Sequence, residues 1–343
     1  MVDFGIEEEV YITEPDRPSL RSLYFMSRLL WSNPAFWYVH SDSNFTRGKD
    51  IRLGVMGPVE VSTRRASGAS KAIEELRKVR QSLCRYVDGG LLVPLGQLAN
   101  VDAPTLTSGM HVHVGGVADL DRVYDNIAYF LPLLMLITAN SPSRVDGLKV
   151  KSYRILRSYA IGPIRDDRFY RFQDIIISRR LGTVEVRIFD PIWDTARIEL
   201  LLECLEALAT TPRHFVVDRY TYQQLRYKAA VSGYGADLVH LYEELTQVIS
   251  IPEAIFTRIP ADDTAQLFEE RGVVGAYASI DFAYRTSQSP WEYCPGQAPL
   301  PPVGQDSRRL LEQALGLICY YAVRAPYKLG KAWLEWHKSP RVS

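Results

Sequence analysis

The chain has 343 residues, with 40 basic and 40 acidic side chains and a formal net charge of zero. Hydrophobic residues make up 47% and charged residues 23%. That composition excludes a largely disordered chain and gives no overall cationic footprint for nucleic acid. Cys84, Cys204, Cys294 and Cys319 are far apart and form no CxxC pair, so neither a disulfide framework nor a zinc knuckle is expected.

In chain order, residues 4–12 read as a strand, 19–30 as a helix, 41–49 as a polar loop and 55–62 as a second strand. Residues 66–87 carry Ile73, Leu76, Leu83 and Val87 at helical spacing. Residues 91–98 and 110–114 are strand candidates, and 121–140 is a largely apolar helix. Residues 175–178 and 183–189 read as antiparallel strands joined by an Arg180-Leu181-Gly182 turn. Helices follow over 196–209 and 236–249, then a loop at about 287–304 with five prolines, then a helix over 306–324. Hairpins mixed with helices, without a βαβ rhythm, predict an α+β fold with a largely antiparallel sheet packed on helices. The acidic N-terminus lacks the basic and apolar regions of a secretory signal. The longest apolar run, 127–138, contains Pro132 and is too short for a bilayer. A cytoplasmic protein without membrane or nucleic-acid partners is expected.

The informative pattern is polar residues two apart on strands, which places them on one face. Glu7 and Glu9, Glu60 and Ser62, His111 and His113, and Glu185 and Arg187 are such pairs. In the last three pairs the intervening residue is valine, suited to a core face. One sheet would then carry four carboxylates and two histidines on one side, where the carboxylates repel unless a cation sits among them. Hard cations such as Mg²⁺ or Mn²⁺ take oxygen ligands, and His suits Mn²⁺. Alternating charge is also the ordinary pattern of a solvated sheet face, and that alternative stays open on the pattern alone. Residues 143–180 are locally basic, with ten Lys or Arg against four Asp, either a solvated loop or a set of cations over the platform.

These motifs resemble the carboxylate-amine ligases of the second glutamate–cysteine ligase family. Gly5-Ile6-Glu7-Glu8-Glu9 resembles the opening strand, Val59-Glu60-Val61-Ser62-Thr63 the second acidic strand, and Gly109-Met110-His111-Val112-His113-Val114-Gly115 the GxHVHVG signature. Leu131-Pro132-Leu133 with Ala139-Asn140-Ser141-Pro142 resembles the buried helix and its Ser-Pro turn. Ser152-Tyr153-Arg154 is similar to Ser-x-Arg, and the run from Gly182 to Asp190 to GTxExRxxD. A weaker echo lies between Arg226 and Gly233. The resemblance implies a glutamine-synthetase-like catalytic fold over residues 1–250 that holds ATP and Mg²⁺ (or Mn²⁺). It implies activation of an amino-acid carboxylate, typically the γ-carboxylate of glutamate, as an acyl phosphate that an amine such as cysteine converts to an amide. It further implies Glu7, Glu9, Glu60, His113 and Glu185 as metal ligands, and Arg154, Arg187 and Glu185 as catalytic groups. His111, Lys151, Arg180 and Arg226 would contact the nucleotide, with His111 a contact to nucleotide or metal. Residues 251–343 are expected to form a helical extension packed on the same domain, and the fold class admits a homo-oligomer. Ser143 replaces the family's aromatic after the Ser-Pro turn, and Ser232 replaces a basic residue before Gly233. A binding protein without turnover, a His-x-His metallohydrolase and a phosphotransferase acting on a guanidine are the competing readings.

Overall fold

The structure, a computed structural model, describes residues 1–13, 37–39, 58–87, 90–99, 107–157 and 173–294, with scattered helical residues between 311 and 326. The expected helix over 19–30, the loop over 41–49 and most of the proline-rich loop lie outside the described residues.

The first element, β1 (Asp3–Thr13), is the long strand around which the sheet is built. Next come β2 (Trp37–Val39), β3 (Val59–Ser62) and β4 (Ala66–Ser67). The helix expected from residue 66 instead begins one turn later, as α1 (Ala69–Tyr86). Ala66 and Ser67 pair with Phe4 and Asp3, and Gly68, at φ 84°, turns the chain between strand and helix. The strand expected over 91–98 is confined to β5 (Leu91–Val93), because Pro94 has no N–H to offer a ladder. Then follow β6 (Met110–Gly115) and α2 (Leu120–Leu134), the latter ending in a 3₁₀ turn rather than reaching residue 140.

The basic stretch is not an open loop throughout. Strands β7 (Ser143–Val145) and β8 (Leu148–Val150) form a hairpin turned by Asp146 and Gly147, both at positive φ. The short helix α3 (Tyr153–Arg157) follows. Strands β9 (Ile175–Ser178) and β10 (Thr183–Phe189) form the expected hairpin, with Gly182 at φ 64° in its turn. The rest is helical: α4 (Thr195–Thr210), α5 (Arg219–Ser232), α6 (Ala236–Leu245), α7 (Ala254–Thr257) and α8 (Pro260–Thr286), the last made of two helical segments that meet at a kink at Gly272, φ 64°. Helices α5 and α8 were not among the elements expected from periodicity. None of the described helices is long and apolar enough to cross a membrane.

The sheet runs β2-β3-β1-β6-β10-β9, with β4 and β5 also paired to β1, and every ladder between these strands is antiparallel. The fold is therefore α+β, as expected. One face buries Phe4, Ile6, Val112, Val114, Val184 and Val186 against Ile73 and Leu76 of α1, Ile127 and Leu131 of α2, and Leu201 and Leu205 of α4. Removing this apolar surface from water is the main force holding the helices to the sheet. Helix α8 closes the far end of β1: its Asp281 accepts from the Leu92 N–H at 2.7 Å, and its Tyr277 packs with Tyr11 and Val93.

One charge interrupts the apolar face. Glu8 is fully buried and accepts from Arg80 Nε of α1 at 3.0 Å and from the Tyr284 hydroxyl of α8 at 2.8 Å. Arg80 spends its other donors on the Ile192 and Trp193 carbonyls, at 2.7 and 2.8 Å. Every partner is satisfied, so removing one member strands a buried charge. Glu8→Ala is expected to cost about 3–5 kcal/mol in urea unfolding. The apolar triple variant Glu8→Leu, Arg80→Met, Tyr284→Phe should regain most of that; a triple variant as unstable as the single one would show that the charge itself is needed.

Candidate functional site

The ladders decide which side chains meet. Glu7 lies opposite Ser62 of β3 and His111 of β6, Glu9 opposite Glu60, and His113 opposite Gly5 of β1 and Glu185 of β10. Cross-strand neighbours share a face, so Glu7, Glu9, Glu60, His111, His113 and Glu185 all stand on the face away from the valine core. Arg187 joins them, ion-paired to Glu185, where the ladder to β6 shifts register between Val186 and Phe189.

Within this face three groups converge. One ligand atom each from Glu7, His111 and Glu185 lies within 4.8 Å of the other two. His111 Nδ1 is 3.3 Å from Glu7 Oε2. His113 stands to one side, with Nε2 3.5 Å from Glu7 Oε1 and Nδ1 3.3 Å from Thr183 Oγ1. Burial would raise the Glu7 carboxyl, but hydrogen bonds and charge from both imidazoles outweigh it and hold it well below the usual carboxylate range. Burial, with the nearby Arg187 charge, pushes His111 below its ordinary value, so at neutral pH it is an imidazole with a lone pair to give. Two carboxylates and one neutral imidazole fit a hard divalent cation such as Mg²⁺ or Mn²⁺. A zinc hydrolase site would want more nitrogen or sulfur ligands, and among the described residues no further histidine or cysteine joins this group. Glu9 and Glu60 lie two residues further along β1 and β3, buried, with Glu9 Oε2 accepting from the Gly109 N–H at 2.6 Å.

Arg154 reaches the platform from α3. Its Nη2 donates to the Arg187 carbonyl at 2.6 Å. The guanidinium lies against Gly109, where a β-carbon would come within 2.7 Å of its Cζ. Glycine thus opens the space the arginine fills. The base of α3 is tied down by Asp190 at the end of β10. Its Oδ2 accepts from Asn140 N, Ser141 Oγ and Ser152 Oγ at 2.7, 2.9 and 2.7 Å. The Ser-Pro turn, Ser152 and Asp190, far apart in sequence, are therefore one buried node.

The other sequence candidates lie elsewhere. Arg180 is exposed in the β9–β10 turn. Lys151 pairs with Asp262 of α8 at 2.5 Å. Arg226 is buried, donating to Gln223 Oε1 at 2.6 Å and to the Ile155 carbonyl, 3.8 Å from Asp174. Conversely, a cleft of about 470 Å³ opens beside Glu7 and His113. Asp3, Ser62, Arg65, Gly116 and Thr183 help to line it. Asp3, Ser62 and Thr183 follow from the two-residue period. Arg65 does not, because it lies just beyond β3 and reaches the cleft through its ion pair with Asp3.

No protein-family model and no curated protein matches the sequence. Solved structures do match in shape. Glutamate–cysteine ligase from Francisella tularensis, in complex with AMP, superposes with a TM-score of 0.53 at 11% identity, covering 95% of this chain and 94% of that one. A bifunctional glutathione synthetase from Pasteurella multocida superposes with a TM-score of 0.53 at 13% identity, over 83% of this chain and 52% of that one. This chain thus spans about half the length of the bifunctional protein. At these identities the likeness is one of fold, and the neighbours share the mixed helical and antiparallel architecture described above.

Two measurements probe this geometry. Gly109→Ala should evict the Arg154 guanidinium, so Gly109→Ala and Arg154→Ala are expected to be non-additive in urea unfolding, with an interaction of about 1 kcal/mol or more. Additive losses would mean that the two residues act separately. Asp174 is buried beneath the Tyr222 hydroxyl, 2.6 Å away; burial pushes its carboxyl up to about 6, against the pull of Arg226 and Tyr222. The native carboxyl then keeps its proton at pH values where the unfolded one, near 3.8, has released it. Stability from this group is full below the unfolded value and falls as pH rises through about 6. Between pH 4 and 7 the native protein should lose roughly 2–3 kcal/mol more than Asp174→Asn; parallel profiles would refute the assignment.

Proposed function

We propose that the chain is an ATP-dependent carboxylate–amine ligase that activates an amino-acid carboxylate, with glutamate the first candidate and cysteine the first amine. The observation that carries this reading is the convergence of Glu7, His111 and Glu185 on the open face of an antiparallel sheet, with Arg187 and Arg154 beside them. Phosphoryl transfer needs positioning and charge neutralisation rather than a protein nucleophile. This platform offers acids for a metal and cations for phosphate; on the helices, burial raises Cys84 to about 11 and Cys204 to about 12, away from nucleophilic use. The likeness in shape to a glutamate–cysteine ligase supports the same reading.

In this reading Glu7, His111 and Glu185 hold a divalent cation, with Glu9, Glu60 and His113 beside them. When bound, the cation neutralises phosphate charge and aligns the γ-phosphoryl group. The cleft beside Glu7 and His113 receives the nucleotide's phosphates. Arg187 moves from Glu185 to the transferring phosphoryl group, and Arg154 holds the substrate carboxylate. A carboxylate oxygen attacks the γ-phosphorus and ADP departs. The amine nitrogen then attacks the acyl carbon, phosphate leaves, and the amine gives up a proton.

The test is ADP release from Mg-ATP with L-glutamate and a panel of amines led by cysteine. Hydroxylamine serves as a trap that converts an acyl phosphate to a hydroxamate. ADP is expected only with both a carboxylate and an amine, with a loss of at least 10³-fold in Glu7→Gln and Glu185→Gln. ATP binding with no ADP release from any pairing would favour a binding protein, and absence of ATP binding would sink the ligase reading. Mn²⁺ titration without nucleotide gives a second check: Glu185→Gln should weaken binding at least tenfold.

A further inference from the structure

A second cavity shares no lining residue with the cleft beside Glu7 and His113. Its volume is about 870 Å³, within the range of small-molecule pockets. It is bounded by the β7–β8 hairpin, the first half of α8 and the loop at Leu98. One wall is apolar, formed by Leu98, Ala265, Phe268 and Val273. The rim is charged and unevenly satisfied. Lys151 is paired with Asp262 at 2.5 Å and Lys149 lies 3.6 Å from Glu269. Arg144 and Arg157 line the same cavity, are exposed, and have no carboxylate partner among the described residues. The remaining acid, Asp146, sits in the hairpin turn. Arg157 instead lies 5.6 Å over the ring of Tyr153, one helical turn earlier on α3. Tyr153 also lines the cavity; it is 4% exposed, and its hydroxyl has no hydrogen-bond partner among the described residues.

An apolar wall and two guanidinium groups that have no carboxylate partner among the described residues form a complementary set. Guanidinium recognises planar or tetrahedral oxyanions by paired hydrogen bonds, and an apolar wall recognises the body such a group is attached to. We infer that this cavity binds an amphipathic anion, a small molecule with an apolar body and a carboxylate or phosphate head held by Arg144 and Arg157. The site is independent of the ligase reading. Tyr153 and Arg157 of α3 line this cavity, whereas Arg154 of the same helix reaches the platform.

The test uses the full chain and the dye 1-anilinonaphthalene-8-sulfonate, an aromatic body with one anionic group, followed by fluorescence titration. Saturable one-to-one binding is expected, with the unfolding midpoint checked so that the dye reports folded molecules. The double variant Arg144→Gln, Arg157→Gln should weaken binding at least tenfold, and Ala265→Trp, which sets an indole against the apolar wall, should weaken it at least tenfold as well. The uncharged analogue N-phenyl-1-naphthylamine should bind at least tenfold more weakly than the anionic dye. Displacement by octanoate or by octyl phosphate tells a carboxylate head from a phosphate head. Mg-ATP should not displace the dye. Equal binding by the double variant or by the neutral dye, displacement by Mg-ATP, or no saturable binding would each overturn the proposal. Failure of the ADP assay would leave it standing.

Discussion

The buried pair of Glu8 and Arg80 constrains everything else. A strand has a two-residue period, so a slip of one position exchanges its faces. In the run Glu7-Glu8-Glu9 the three acids are chemically alike, and the flanking Phe4, Ile6, Val10 and Ile12, all buried, set the phase that turns Glu8 inward. Arg80 on α1 and Tyr284 on α8 make that inward position tenable by giving Glu8 a buried partner set. With Glu8 inward, Glu7 and Glu9 face outward and meet His111 and Glu60 across the ladders. The polar platform and the buried ion pair are thus two consequences of one strand phase, on opposite faces of the sheet.

The same economy holds at the platform's edge. Asp190 gathers the Ser-Pro turn, Ser152 and Asn140 into one buried node, and Thr264 of α8 reaches it by donating to Asn140 Oδ1 at 2.6 Å. That node sets α3, and α3 sets Arg154 over Gly109. A buried network of this kind, with three donors on one oxygen of Asp190, fixes geometry more than it adds stability. The platform is thus rigid where carboxylates and cations must hold their distances, and open at the cleft beside His113, where a ligand would enter.

The competing readings part on chemistry rather than on shape. The oxygen-rich cluster of Glu7, His111 and Glu185 suits a hard cation and speaks against a zinc hydrolase. The superposition on a glutamate–cysteine ligase speaks to architecture alone, because 11% identity carries no substrate with it.

The two-residue alternation in four short strands determined the polar face, its membership and the antiparallel α+β class, because face assignment along a strand is local geometry. It also marked the β9–β10 hairpin, where Gly182 supplies the positive φ that the turn requires. Local pattern did not reveal α5 or α8, whose apolar residues are spread among long polar side chains. Nor did it separate His111 from His113, since both share the face; the ladders set His111 opposite Glu7 and His113 opposite Glu185, and only the spacing of the side-chain ligand atoms puts His111 in the cluster. Lys151 and Arg226 shared a basic neighbourhood in sequence, yet the fold turns one to Asp262 and the other to Asp174. Period and motif are properties of a segment, whereas convergence is a property of the packing between segments, and only the tertiary structure supplies it.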